Sequence, residues 1–200
     1  LQAAMAGGEQ VLKLLDTPPE VLDQPEAPDL PPAQGSITFA AVSFRYRPEL
    51  PEVLRGINLS IQPGQTVAVV GPTGAGKTTI ANLIARFYDA SSGAVCIDEV
   101  DVRTVTQASL HRQIGIVPQD SFLFSGSIAE NIRFGKPEAS DEEVERAARL
   151  ANAHDFIAGK PDGYQTRLQE GASNLSVGQR QLVCIARAIL TDPRILILDE

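Results

Sequence analysis

Apolar positions along the chain change their period several times, and each change marks an element. Ala4, Met5, Val11, Leu12, Leu14 and Leu15 recur at roughly helical spacing. Asp16-Thr17-Pro18-Pro19 ends that run, because proline lacks an amide hydrogen and disfavours helix in the residue before it. From Thr17 to Pro32, six prolines and four acids stand among sixteen residues, a composition that favours extended backbone and builds no core. Beyond Ser36 the period becomes two. Ile37, Phe39 and Ala41 alternate with polar or small residues, and Ile57, Leu59 and Ile61 alternate with Asn58, Ser60 and Gln62, which predicts half-buried antiparallel strands. Thr66 to Val70, Ile114 to Val117 and Ile195 to Leu198 are almost wholly apolar, the pattern of parallel strands buried on both faces under helices. Between Asp120 and Ala172 the strand signal vanishes. There Ser140-Asp141-Glu142-Glu143 places a capping serine and a reciprocal glutamate ahead of a helix reaching Ala151. The pattern predicts an α/β core with a parallel sheet, an antiparallel β portion and a helical insertion over residues 120–175.

Two hundred residues at 43% hydrophobic content suffice for one packed domain. No run reaches the length of a membrane-spanning helix, and residues 1–8 carry no basic leader ahead of an apolar stretch. The chain starts on leucine and stops on a glutamate that closes an apolar strand, so both ends read as cut, with the C-terminal part of the domain missing. Residues 1–16 read as the end of a helix, 17–35 as a proline-rich acidic linker, and 36–200 as the domain. The net charge is −8, and five of those charges fall within residues 1–35, so the remainder is only mildly acidic. A duplex-binding surface needs a basic patch instead, which excludes nucleic acid as the main partner. Cys96 and Cys184, far apart and in apolar contexts, form neither a disulfide framework nor a metal cluster and read as core residues of a reducing compartment.

Three segments carry chemistry. Gly71-Pro72-Thr73-Gly74-Ala75-Gly76-Lys77-Thr78 lies between the apolar run Thr66 to Val70 and the helix-like Thr79 to Phe87, the context of a phosphate-binding loop. Its glycines allow successive amides to wrap a phosphate chain. The helix start adds the positive end of its dipole, Lys77 bridges the outer phosphates, and the Thr78 hydroxyl ligates magnesium. Ile195 to Leu198 ends in Asp199-Glu200 at the carboxyl edge of the sheet, where open α/β folds bind ligands; Asp199 suits a magnesium shell and Glu200 suits the base that deprotonates attacking water. Ser176-Val177-Gly178-Gln179 has capping-box spacing and opens a helix through Leu190, yet Gly178 is a poor helix former and a bare helix start also receives anions.

Taken in order, Lys77, Gln119, Ser176 to Gln179 and Asp199-Glu200 resemble the nucleotide-binding domain of ATP-binding cassette (ABC) proteins, along nearly the whole chain. The resemblance implies that Tyr46, within Ser43-Phe44-Arg45-Tyr46, stacks on adenine, that Gln119 joins the core to the insertion and senses magnesium, and that Thr79 completes the nucleotide site. Leu175-Ser176-Val177-Gly178-Gln179 is similar to the family signature. It implies that Ser176, Gly178 and Gln179 reach the γ-phosphate held by a second subunit; Val177 departs from the commoner glycine. Gln169-Glu170-Gly171, the run Asp120 to Asn131 and the Leu14 to Glu20 exit from the leading helix resemble the exporter branch, with Glu170 touching the membrane domain.

The resemblance therefore implies an ATP- and Mg2+-dependent hydrolase whose partners are its own or an associated transmembrane domain and a second nucleotide-binding domain, on the cytoplasmic face of the membrane. His111 and His154 precede Glu200, so neither supplies the family's switch histidine, and both read as surface or insertion residues. A soluble cassette ATPase of DNA repair or translation is the first competing reading. A non-catalytic half of an asymmetric pair is the second. Acidity and the leading helix with its linker weigh against the first, and Lys77 with Glu200 against the second.

Overall fold

In the computed structural model, residues 8, 11–13 and 15–199 are described. Most of the expected helix over residues 1–15 lies outside them, as does Glu200. Strand β1 (Ile37–Phe44) is the centre of a four-stranded sheet, flanked antiparallel by β2 (Leu54–Ile61) and β3 (Ser92–Ile97), with the short β4 (Val100–Asp101) on the edge of β3. Ile37, Phe39, Val42 and Phe44 point into the core. Val42, not the expected Ala41, continues the inward set, because the ladder shifts after Phe39 and Ala41 takes φ 48°. One extra residue in a strand exchanges its two faces. Gly93 lies opposite the bulge at φ +79°, where a Cβ would stand 2.4 Å from the Ala40 carbonyl oxygen, so only glycine fits.

Strands β5 (Ile114–Val117) and β8 (Ile195–Leu198) pair in parallel, Ile114 against Ile195 through Val117 against Leu198. Here the expectation of strands buried on both faces fails in two places. Leu196 and Leu198 are about half exposed, and Thr66 to Val70 joins no ladder, leaving Val70 86% exposed. A strand buried on both faces needs hydrogen-bonded neighbours and a covering helix on each face; Thr66 to Val70 has no ladder partner among the described residues, and Leu196 and Leu198, though paired with β5, keep an exposed face.

The phosphate-loop helix α1 (Lys77–Ile84) ends three residues earlier than its apolar pattern predicts. A 3₁₀ turn (Val102–Thr104) leads to α2 (Gln107–His111). The insertion holds α3 (Ile128–Arg133), α4 (Asp141–Leu150) and α5 (His154–Ala158), bracketed by a two-residue pairing of β6 (Gly126–Ser127) with β7 (Arg167–Leu168). It packs on α6 (Val177–Leu190) in a core of its own around Ile128, Ile132, Val144, Ile157 and Val183. Reciprocal capping boxes, Ser127 with Glu130, Ser140 with Glu143 and Ser176 with Gln179, start α3, α4 and α6. Each satisfies two amides that a helix start otherwise leaves open. Among the described residues, no helix is long and apolar enough to cross a membrane.

The proline-rich segment contributes to the core after all: Leu30 and Ala33 are buried with the β1 to β3 sheet. Proline offers no amide for a ladder, so side chains of the domain take up what the strap has. Ser109 Oγ accepts from the Leu30 amide at 2.8 Å. Gln113 accepts from the Ala33 amide and donates to the Leu30 and Pro31 carbonyls at 3.2 and 2.8 Å. Asp98, in the tight turn between β3 and β4, accepts from the amides of Gln34, Gly35 and Ser36 and from the Ser36 hydroxyl. Burial pushes the Asp98 carboxyl up, but these four donors outweigh it and hold its pKa below the ordinary value. The strap end is therefore fully held above about pH 4, the unfolded carboxylate range, and released as pH falls through the lowered folded pKa. Asp98→Asn should remove that acid step, read as amide exchange at Ser36 between pH 5 and 2.

Candidate nucleotide-binding site

Two glycines shape the loop between the Val70 backbone and α1. Gly74 and Gly76 take φ 83° and 91°, the left-handed region that side chains avoid, and Gly76 is also the N-cap of α1. A Cβ on Gly76 would meet Leu54 Cδ2 at 2.8 Å. The Ala75 amide closes a turn onto the Pro72 carbonyl at 3.1 Å. Lys77 arches back over this turn, its Nζ donating to the Gly71 and Pro72 carbonyls at 2.9 and 3.0 Å. Gly71, Pro72, Thr73, Gly74 and Ala75 are all exposed, so the ammonium is held on an exposed turn of loop backbone.

The end of β8 reaches the same place. The Asp199 amide donates to the Val117 carbonyl at 3.0 Å, extending the β5–β8 ladder by one rung. Its Oδ1 accepts from Thr78 Oγ1 at 3.2 Å, across 121 positions of sequence. A hydroxyl and a carboxylate are hard oxygen donors, the chemistry that magnesium selects, so these residues fit that ion. Among the described residues no three His, Cys, Asp or Glu side chains gather as a metal cluster.

Tyr46 stands beside the first turn of α1, its hydroxyl 2.9 Å from Thr79 Oγ1, with Thr79 itself buried. Phe44 and Tyr88 meet its ring edge-on at 4.9 and 5.1 Å, while 40% of the residue remains exposed. Sequence reasoning missed Tyr88, whose position just past α1 is the only signal for it.

Other expected residues are not drawn in. Gln119, two positions past β5, is exposed and makes no hydrogen bond to the loop among the described residues. Ser176 Oγ accepts from the Gln179 amide at 3.2 Å and the Gln179 side chain accepts from the Ser176 amide at 3.1 Å. Both atoms thus serve the local cap. Gly178 is exposed, and a Cβ there would meet nothing within 4 Å. This chain's own fold gives no reason for glycine at that position. Of the two histidines, His111 is exposed, as expected, with its Nε2 2.8 Å from the Ala85 carbonyl oxygen at the end of α1. His154 Nδ1 lies 2.9 Å from the Tyr164 hydroxyl within the insertion. Both cysteines are free thiols, and burial pushes both up, away from reactive thiolate.

A glycine-rich loop wrapped under a lysine, set at a helix start and bridged to the acid at a parallel strand end, defines a phosphate-loop nucleotide-binding α/β domain. The chain belongs to the ABC transporter family, matching it over residues 54–200. It is 48% identical, over its full length, to the fatty acid ABC transporter ATP-binding/permease protein of Mycobacterium bovis, covering 31% of that protein. It is 47% identical, again over its full length, to the ATP-dependent lipid A-core flippase of Desulfotalea psychrophila, covering 35%. The fold matches a solved bacterial Atm1-family ABC exporter with ATP bound, with TM-score 0.91 and 44% identity over all of this chain and 35% of that one. The chain thus spans about a third of the length of these relatives.

Proposed function

We propose that this chain is the ATP-binding and ATP-hydrolysing module of an exporter, and that nucleotide brings two such modules together to drive transport across a membrane. The Thr78–Asp199 contact carries the reading, because it unites the phosphate loop and the acidic strand end at one point. ATP phosphates are held by the loop from Gly71 to Thr79, through the backbone amides that follow Pro72, which has none, and by Lys77, and Tyr46 offers its exposed face to adenine. Thr78, Asp199 and Gln119 would hold magnesium, which when bound neutralises phosphate charge at the transferring group. Glu200 takes the proton of the attacking water.

Ser176, Gly178 and Gln179 complete the site of a second module. The unexplained glycine at 178 supports this, since bare backbone at a helix start admits a phosphate closely. The membrane part is the module's other partner, and it meets the insertion at Glu170 and at the exposed rings of Phe122, Phe124 and Phe134. On this reading the module lies on the cytoplasmic face of the membrane. The transporter names of the relatives favour this reading over a soluble cassette ATPase.

The test exploits Gly178. Exchanging an exposed helical glycine for alanine should stabilise the domain by about 0.5–1 kcal/mol. In the full-length protein, Gly178→Ala should nevertheless weaken ATP-driven closure of the two modules, read by cross-linking or light scattering with and without ATP. A variant that melts higher and closes normally would sink the assignment.

A further inference from the structure

Arg86 is the largest fully buried side chain of the described residues, at 1% exposure. It stands two residues past α1 with φ 53°, a conformation that a non-glycine residue keeps only when its surroundings enforce it. Four contacts do so. Nε donates to Asp89 Oδ1 at 3.2 Å, Nη1 to Asp23 Oδ1 at 3.1 Å and to the Val105 carbonyl at 2.8 Å, and Nη2 to the Leu22 carbonyl at 3.0 Å. Two of these partners belong to the proline-rich strap. Asp23 also accepts from the Gln107 amide through both oxygens, and the Gln107 side chain donates to the Val21 carbonyl.

We propose that Arg86 couples the strap to the phosphate loop, so that docking of residues 21–23 and binding of nucleotide at Lys77 and Thr78 are a single linked equilibrium. The inference rests on the reading of that loop as the ATP site. Without the strap the guanidinium keeps Asp89 on Nε and the Val105 carbonyl on Nη1 but loses Asp23 and the Leu22 carbonyl, its acceptor on Nη2, and a buried donor left without an acceptor is costly. If the strap shifts, Arg86 must follow it or draw water in. Either outcome displaces Ala85 and the end of α1, where His111 also grips. Helix α1 is a rigid element of eight residues, with Arg86 past one end and Lys77 and Thr78 at the other, so a movement of one end reaches the phosphate contacts. Arg86 is thus a positioning residue. The remaining polar contacts of the strap do not reach α1. Asp29, for example, pairs with Arg112 at 2.8 Å and accepts from the Thr106 hydroxyl at 2.6 Å.

That difference provides the test. In the full-length protein, Asp23→Ala should weaken the Kd for a non-hydrolysable Mg-ATP analogue about 5- to 20-fold, within the usual range of linked sites. Asp29→Ala, which loosens the same strap elsewhere, should leave the Kd within about twofold, below any such coupling. Linkage is reciprocal, so the analogue should also slow hydrogen exchange at the Gln107 amide in the wild type and fail to do so in Asp23→Ala. An unchanged Kd in Asp23→Ala overturns the proposal, and so do equal losses in both variants, which would make the strap a general cover. Wild-type protein that binds no analogue overturns the ATP site as well. If Asp23→Ala shows no cooperative melting, Asp23→Asn keeps an acceptor for Arg86 without the charge. It should show a smaller loss in the same direction, and wild-type affinity there overturns the proposal.

Discussion

Replacing Lys77 with alanine is expected to cut ATP affinity and turnover at least ~100-fold while leaving the domain folded. The ammonium makes its hydrogen bonds to the loop's own carbonyls at an exposed turn, so little core is lost, and alanine is the better helix former at this first helical position. What disappears is the cation facing the phosphates. Hydrogen bonds to charged groups contribute about 1.5–3 kcal/mol each, and two of them redirected from carbonyls to phosphate oxygens account for a loss of that size. Calorimetric titration with ATP beside a melting curve separates the outcomes. Normal turnover with a normal melt would remove Lys77 from the site.

Local chemistry in this chain is legible where a motif is self-contained. The glycines at 74 and 76, the capping boxes at Ser140 and Ser176 and the helical insertion all follow from residues within a few positions of one another, whereas the box of Ser127 with Glu130 emerges only in the structure. The meeting of Thr78 with Asp199 follows less directly, from the carboxyl edge of a strand and the start of the phosphate-loop helix, and it forms although Thr66 to Val70 joins no ladder. Long-range polar anchoring is where sequence reading stops. Nothing in the composition of residues 17–35 signals that Asp98, Ser109, Gln113 and Arg86 will receive them, because each is an ordinary polar residue whose partner lies 60 or more positions away. Arg86 even argues the wrong way, since a charged residue after an apolar helix reads as solvated. The bulge at Ala41 hides likewise, since the glycine that leaves room for it, Gly93, is on another strand. Thr66 to Val70 shows the converse: an apolar run states a strand's preference, but a ladder needs a neighbour.

Glu200→Gln should separate binding from chemistry. The residue lies outside the described structure, and its role is proposed from its place in the sequence, next to Asp199, whose carboxylate accepts from Thr78. Phosphoryl transfer to water asks little of the protein beyond position, charge and one proton acceptor. An amide keeps the size of the carboxyl and its hydrogen-bonding reach but cannot take the proton. Loss of a positioned general base costs about 10²- to 10⁴-fold in rate, so phosphate release should fall by that factor while ATP affinity stays close to wild type. Lys77→Ala and Glu200→Gln thus fail in different ways, the first at binding and the second after it. Steady phosphate release from Glu200→Gln would show that water is activated by another group, and Glu200 would lose its assigned role.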